Sequence, residues 1–291
     1  RKGVKFHGGN EFTCADAEYS FRRLLVTNNF SSTAFYLSDA LLGFAYWDEK
    51  LIKDTPFNAI QNAVSCDSSG NLIFKLSRRE PVFILRLTGT WGSILDAKAA
   101  IAAGEWDGKE VTWKDWQNKD LNNSSLNKAD VGSGAYQMIS READQAIFKA
   151  NPNYWGSKGK IENVIVKVGG VDAARVLAIK SGDADIISYD NINVVRQLKG
   201  ASGVTVNQFS STSASGLFFN QAVTKGSKFV GSGKLDGKGV PANFFADINV
   251  RRGFAAALDS KRIISEIYAG LAENRTMPVP TALPGYDPSI K

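Results

Sequence analysis

Apolar positions along the chain alternate between helical and strand spacing. Thr13-Cys14-Ala15-Asp16 has the form of a capping box, and Phe21, Leu24 and Leu25 then fall on one helical face, so a helix is predicted there. Asn28 to Ser32 is a polar break, and Tyr46 to Lys53 reads as helix or loop. Asn71 to Leu76 predicts a strand, and Pro81-Val82-Phe83-Ile84-Leu85 opens an apolar helix with proline in its first turn. Trp106 to Asn127, rich in Trp, Asn, Asp and Lys, is expected to be a surface excursion.

Farther along, Gly132-Ser133-Gly134 is a turn feeding a strand over Tyr136 to Ile139, and Ala146 to Ala150 is another strand. The turn is no phosphate loop, because it has no Lys and leads into a strand. Ile161 to Val168 alternates, with Val164, Val166 and Val168 on one face. Asp172 to Ser181 reads as a helix stopped by Gly182, and Asp185 to Ser188 as the start of a strand. This strand, helix, strand order argues α/β packing. A helix over 191–198, strands over 204–209 and 217–219, and helices over 247–257 and 263–268 follow. The Gly- and Lys-rich stretch from Ala222 to Ala242 is expected to be a flexible insertion, and the end from Met277 a loop.

At 291 residues there is room for about two domains. No apolar run reaches the roughly 18 residues of a membrane span. The opening Arg1-Lys2-Gly3-Val4-Lys5-Phe6-His7 is followed by no apolar leader core and reads as the middle of a longer chain. The formal charge is +6, but Lys and Arg are scattered in pairs such as Arg22-Arg23, Arg78-Arg79 and Arg251-Arg252, which argues against nucleic acid as a partner. Cys14, Cys66 and the single histidine, His7, have no metal-ligand spacing. Two readings of the cysteines stay open: buried free thiols, or one disulfide if the compartment is oxidising. A serine hydrolase would want a base, and His7 is the sole histidine, with no nucleophile-elbow pattern near any Ser, which argues against a hydrolase. Asp183 and Asp185, two apart, look like a carboxylate pair. No cofactor is expected.

Several stretches, in order, resemble the bacterial extracellular solute-binding proteins of family 5, the peptide and nickel binders of ABC importers. They are Arg1 to Gly9, Phe12 to Leu25, Gly132 to Tyr136, Asn151 to Gly156, Arg175 to Ile186, Gly216 to Gln221, Phe245 to Arg262 and Pro278 to Tyr286. The resemblance implies a two-lobed, type II periplasmic-binding fold with mixed α/β sheets, represented here by a central fragment. It places residues 1–132 in the second, small domain, 133–247 in the first lobe and 248–291 at the start of the third domain. It also implies that Tyr154 and Trp155 pin a structural turn, and that Asp183 and Asp185 stand at a helix-to-strand turn, which suits no acid/base role.

What it implies about function is capture without chemistry. Two lobes close over a peptide or similar small solute by a hinge, and the closed form is presented to the permease. The compartment would be periplasmic or cell-surface, with a lipid anchor on the parent left open. A binder-fold ectodomain with a sensory or structural role is the alternative. Candidate ligand contacts are Trp91, set among the small residues of Thr88-Gly89-Thr90-Trp91-Gly92, with Phe35, Tyr36 and the hydroxyls of Ser211 and Thr212. A core Trp91 and a merely solvated Ser/Thr run are the structural alternatives. Taken alone, the segment is expected to bind ligand weakly and to self-associate through apolar surface.

Overall fold

The computed structural model describes residues 1–27, 34–44, 49–117, 119–189, 191–209, 215–224, 226–275, 277, 279–281, 283 and 285–290, without the side chains of Glu49 and Ile52. The chain divides into two units, Arg1–Gly169 and Gly170–Lys291.

The first unit is organised around α1 (Cys14–Val26). Its start is capped as the sequence suggests: the Asp16 carboxylate accepts from both the backbone N–H and the hydroxyl of Thr13, each at 2.8 Å. The buried side of α1 carries Tyr19, Phe21, Leu25 and Val26. Against it pack α2 (Phe35–Leu42) and α4 (Phe57–Ala63), with α3 (Glu49–Asp54) between them in sequence. Two short strands, β1 (Val64–Cys66) and β2 (Leu72–Phe74), pair antiparallel with Ser65 opposite Ile73. Three short helices follow: α5 (Phe83–Arg86), α6 (Ala97–Ala102) and α7 (Trp113–Trp116).

The expected surface excursion at 106–127 is corrected here. Trp106 is wholly buried and Trp113 nearly so. The Trp106 indole stacks on Tyr19 at 6.0 Å and meets Phe57 edge-on at 5.8 Å, with its N–H donated to the Lys109 carbonyl at 3.1 Å. A polar composition concealed two aromatic anchors, because the bulk of an indole outweighs several exposed Asn and Lys neighbours.

Cys14 and Cys66 are joined by a disulfide, with Cα atoms 6.0 Å apart. It ties the first turn of α1 to the end of β1. Glu18 reinforces the junction by accepting from the Cys66 N–H at 2.9 Å. Deeper in, Glu105 is buried and bonded on both oxygens. Arg23 reaches one of them through Nε at 3.0 Å and also through its terminal nitrogen, and Ser124 and Ser125 donate to the other at 2.6 and 3.0 Å.

Strands β3 (Tyr136–Arg141), β4 (Gln145–Ala150) and β5 (Asn163–Lys167) form an antiparallel meander. Phe148 stands opposite both Met138 and Val164. The Gly132–Gly134 turn before it is held by His7, whose N–H donates to the Gly132 carbonyl at 2.8 Å and whose ring lies 2.7 Å from Asp130 and 2.9 Å from the Gly134 carbonyl. Neither Gly132 nor Gly134 has a positive φ, so a left-handed backbone is not what places glycine there. The sheet changes at this turn, while the compact unit runs on to Gly169. The aromatic turn after β4 closes on the same place. Buried Asn151 bonds Ala135 and Gly134, and the Trp155 N–H donates to Ser133 at 3.1 Å.

In the second unit, α8 (Asp172–Ser181) ends at Gly182 in the left-handed region, as its sequence requires. It packs with α9 (Ile192–Leu198) through Val176, Val194 and Leu198. The strands expected at 185–188, 204–209 and 217–219 do not form among the described residues, so the strand, helix, strand step lacks its second strand. Val204 and Val206 instead pack loosely on the α8–α9 pair. Then come α10 (Ile248–Ala257) and α11 (Ser260–Arg262), the latter running into a π-helical turn at Ile263–Ile267. The Ala222–Ala242 insertion folds back on itself, its base closed by Val223 N–H donating to Ala242 at 2.9 Å.

Candidate functional site

Trp91 sits in a 3₁₀ turn, Thr90–Gly92, just after α5. The turn exists because two glycines permit close approach. A Cβ on Gly89 would lie 2.2 Å from the Trp91 ring, and one on Gly92 would lie 2.1 Å from the Leu87 carbonyl. The smallness of Gly89 therefore serves to let the indole fold back over its own backbone, where the sequence suggested an open approach. The indole N–H is fixed to the Arg86 carbonyl at 2.6 Å.

Folded this way, the Trp91 ring stacks on Tyr36, 4.2 Å between centroids and 12° from parallel. Phe35 continues the series, its ring 4.0 Å from that of Tyr36. Trp91 also touches the main core and stays half-buried, while Tyr36 is more than a third exposed. Three of the expected contacts thus form one aromatic ledge. Ser211 and Thr212 lie outside the described residues.

The ledge is backed by four charges that sequence reasoning missed. The Arg86 guanidinium donates to the Tyr36 carbonyl at 2.8 Å and pairs with Asp39 at 3.4 Å and Glu80 at 3.2 Å. Arg78 bridges the same two carboxylates at 2.6 and 3.6 Å. The hydrogen bond from Arg78, with the charges of Arg78 and Arg86, holds the Asp39 carboxyl below its usual range against the opposing effect of burial. Arg86 thus touches both halves of the stack, through its side chain to Tyr36 and its carbonyl to Trp91. The signal in the sequence is slight: Arg78, Glu80 and Arg86 flank an apolar tetrad, but Asp39 lies on another helix. The same turn also presents Val82, Ile84 and Leu85 to solvent.

The ledge offers flat aromatic faces, with the Trp91 N–H and the Tyr36 carbonyl already bonded. Such a surface binds by contact and shape, and it places no nucleophile, base or metal ligand at the rings. Among the described residues no group of His, Cys, Asp and Glu is arranged to hold a metal ion. A depression of about 400 Å³ beside Leu41, Leu51, Pro56 and Ala59 is of mixed polarity, lined also by Asp54 and by Thr55, whose hydroxyl donates to the Leu51 carbonyl at 2.6 Å.

The fold aligns with periplasmic binding proteins of known structure. The DppA periplasmic binding protein from Helicobacter pylori, solved with the peptide STSA, superposes with a TM-score of 0.64 at 19% identity over all of this chain and 50% of that one. The profile described as "Bacterial extracellular solute-binding proteins, family 5 Middle" matches residues 1–291, and the chain belongs to this family. It is thus a member of a binding family, not of an enzyme family. Heme-binding protein A of Haemophilus influenzae is 22% identical over 100% of this chain and 47% of its own length. Di/tripeptide-binding protein 2 of Pseudomonas aeruginosa is 24% identical over 100% and 48%. The chain spans about half the length of the curated relatives it matches.

Proposed function

We propose that these residues are the middle part of the substrate-binding component of an ABC-type importer, and that the Phe35–Tyr36–Trp91 ledge forms part of one wall of its ligand cleft. The parent polypeptide closes two lobes over a peptide or similar small solute and hands it to the membrane permease. The observation that carries this is the stack itself. Two aromatic rings are held parallel and half open by bonds to a single arginine, on a chain whose family binds solutes. The disulfide supports an extracytoplasmic setting, periplasm or cell surface, because cytosolic thiols are kept reduced. In this reading residues 1–132 belong to the small domain, 133–247 to the first lobe and 248–291 to the third domain, with Ser211 and Thr212 offering hydroxyls from the first lobe. A peptide is favoured as solute because flat rings without charge suit side chains of varied shape, and a dipeptide binder stands among the relatives.

Calorimetry of the parent protein with a di- to pentapeptide library tests this. Trp91→Ala is expected to weaken the best ligand at least tenfold, since a buried aromatic contact carries about 2 kcal/mol or more. Unchanged affinity, with an unchanged melting temperature, would move the site elsewhere. A parent that binds a metal complex or a porphyrin and no peptide would overturn the choice of solute while leaving the wall in place.

A further inference from the structure

The Lys- and Gly-rich stretch within Ala222–Ala242 has an architecture that the proposed ledge does not involve. Val240 N–H donates to the Val230 carbonyl at 2.9 Å and Ser232 N–H to Lys238 at 3.3 Å, so two chain segments cross and close a tip over 232–238. The crossing needs glycine on both sides. A Cβ on Gly231 would lie 2.2 Å from the Lys238 carbonyl oxygen, and one on Gly239 would lie 2.3 Å from the Val230 oxygen. Within the tip, Asp236 accepts from the Ser232 hydroxyl at 2.7 Å and the Lys238 N–H at 2.9 Å. Its carboxylate is occupied in shaping the turn.

What this tip and the turn before it, Lys228–Val230, carry is amphipathic. Leu235 is 71% exposed and Phe229 84% exposed. Lys228, Lys234 and Lys238 are their neighbours along the same excursion, all exposed, and among the described residues none of the three makes an ion pair. The Lys228 ammonium instead lies 5.6 Å from the Phe229 ring. Large exposed apolar side chains interspersed with exposed lysines suit an interface that is anionic outside and apolar beneath. An acidic protein would need an apolar pocket placed for each apolar side chain, whereas a bilayer offers the anionic and apolar layers without that match.

We propose that the 228–240 excursion is a membrane-surface contact that docks on the anionic headgroup layer of a phospholipid bilayer, with Phe229 and Leu235 entering the interface. It would keep the binding protein near the membrane independently of what it carries.

Flotation with protein-free vesicles tests this, using the whole parent polypeptide prepared without lipid modification. Vesicles of phosphatidylglycerol and phosphatidylethanolamine should retain the protein, and vesicles of phosphatidylcholine alone should not. Each lysine near such a surface multiplies partitioning about fivefold, so K228Q/K234Q/K238Q together should lower it about a hundredfold. Leu235→Ser should lower it about tenfold by removing one apolar side chain from the interface, and about 0.5 M salt should release the parent. Melting temperatures and ligand affinity should not move. Equal retention on both vesicle types, or equal retention of parent and triple variant, overturns the proposal. So does binding seen only on membranes that contain proteins, which would assign the surface to an acidic protein partner.

Discussion

The two units bury their apolar residues to very different extents. In Arg1–Gly169 a single core joins Tyr19, Phe21, Leu37, Phe57, Ile60, Val64, Phe83, Trp106 and Trp113, reinforced by a disulfide and an enclosed ion pair. In Gly170–Lys291 the buried cluster is Val176, Val194 and Leu198. Helix α10 buries no residue, and Leu217 and Phe218 are 74% and 94% exposed. The difference teaches where each unit gets its stability. The first closes its core from its own sequence. The second carries strand-like and helical amphipathic segments whose contacts, such as Phe219 with Phe245 at 4.8 Å and with Phe254 of α10 at 5.9 Å, leave much of their apolar surface exposed. Such exposed apolar surface seeks cover, and self-association at high concentration is its expected expression.

Tryptophan makes the comparison measurable, because all six tryptophans, Trp47, Trp91, Trp106, Trp113, Trp116 and Trp155, precede Gly170. Tryptophan fluorescence therefore follows the first unit alone. The largest expected effect is on the disulfide. It closes a separation of 52 residues, and a loop of that size restricts the unfolded chain by about 4 kcal/mol. Cys14→Ser with Cys66→Ser should lower the stability read by tryptophan by about that amount, with no change in the α8–α9 amides by hydrogen exchange. A loss of protection in both units together would show that they unfold as one, and the contrast would fail.

The next effect comes from Glu105. Burial pushes its carboxyl up, but hydrogen bonds from Ser124, Arg23 and Ser125 and the charge of Arg23 outweigh that, so it sits below its usual range. A folded-state value below the unfolded one gives stability that is complete above the unfolded value, about 4.3. That stability is lost as pH falls through the lower folded value. Glu105→Gln should cost about 3 kcal/mol at pH 7, since the Arg23 guanidinium is left enclosed without its counter-charge. The gap between parent and variant should begin to narrow as pH falls below the unfolded value of about 4.3, where the unfolded parent binds a proton that the folded one resists, and should level off once pH has passed the lower folded value. A gap that stays constant across that range would mean that the pair contributes by packing and not by charge.

Local signals in the sequence were dependable where one short segment settles the matter. The Thr13–Asp16 cap, the Gly182 stop of α8 and the Ile161–Val168 alternation all fall within a few residues, and their expected elements form. The ledge was legible only in part. Trp91, Tyr36 and Phe35 stood out as aromatics, but the Arg86, Asp39, Arg78 and Glu80 lattice that holds them joins two segments about 40 residues apart, and such pairing leaves no local pattern. The failures share a cause. Strands expected at 204–209 and 217–219 have the right composition, but a strand needs a neighbour to bond with, and periodicity cannot say whether one is present. The buried Trp106 and Trp113 failed in the opposite sense, with polar neighbours outvoting two side chains that decide the packing.

The smallest expected effect tests the weak unit directly. Val194 lies at the centre of the α8–α9 contact and is almost fully buried, between Val176 and Leu198. Val194→Ala removes two methyl groups from that contact, worth about 0.8 kcal/mol each, so a loss of about 1.5 kcal/mol is expected. In a large core such a change is tolerated, but here it removes a substantial part of what joins two helices. Protection of the α8 and α9 amides should therefore fall about tenfold in hydrogen exchange, while the tryptophan unfolding curve stays where it was. The matched change Val64→Ala, at a fully buried position in the first unit, should move the tryptophan curve and leave α8 and α9 unaltered. If Val194→Ala shifts the tryptophan curve as far as Val64→Ala does, the small cluster is part of one cooperative fold, and its shortage of buried residues does not measure its stability.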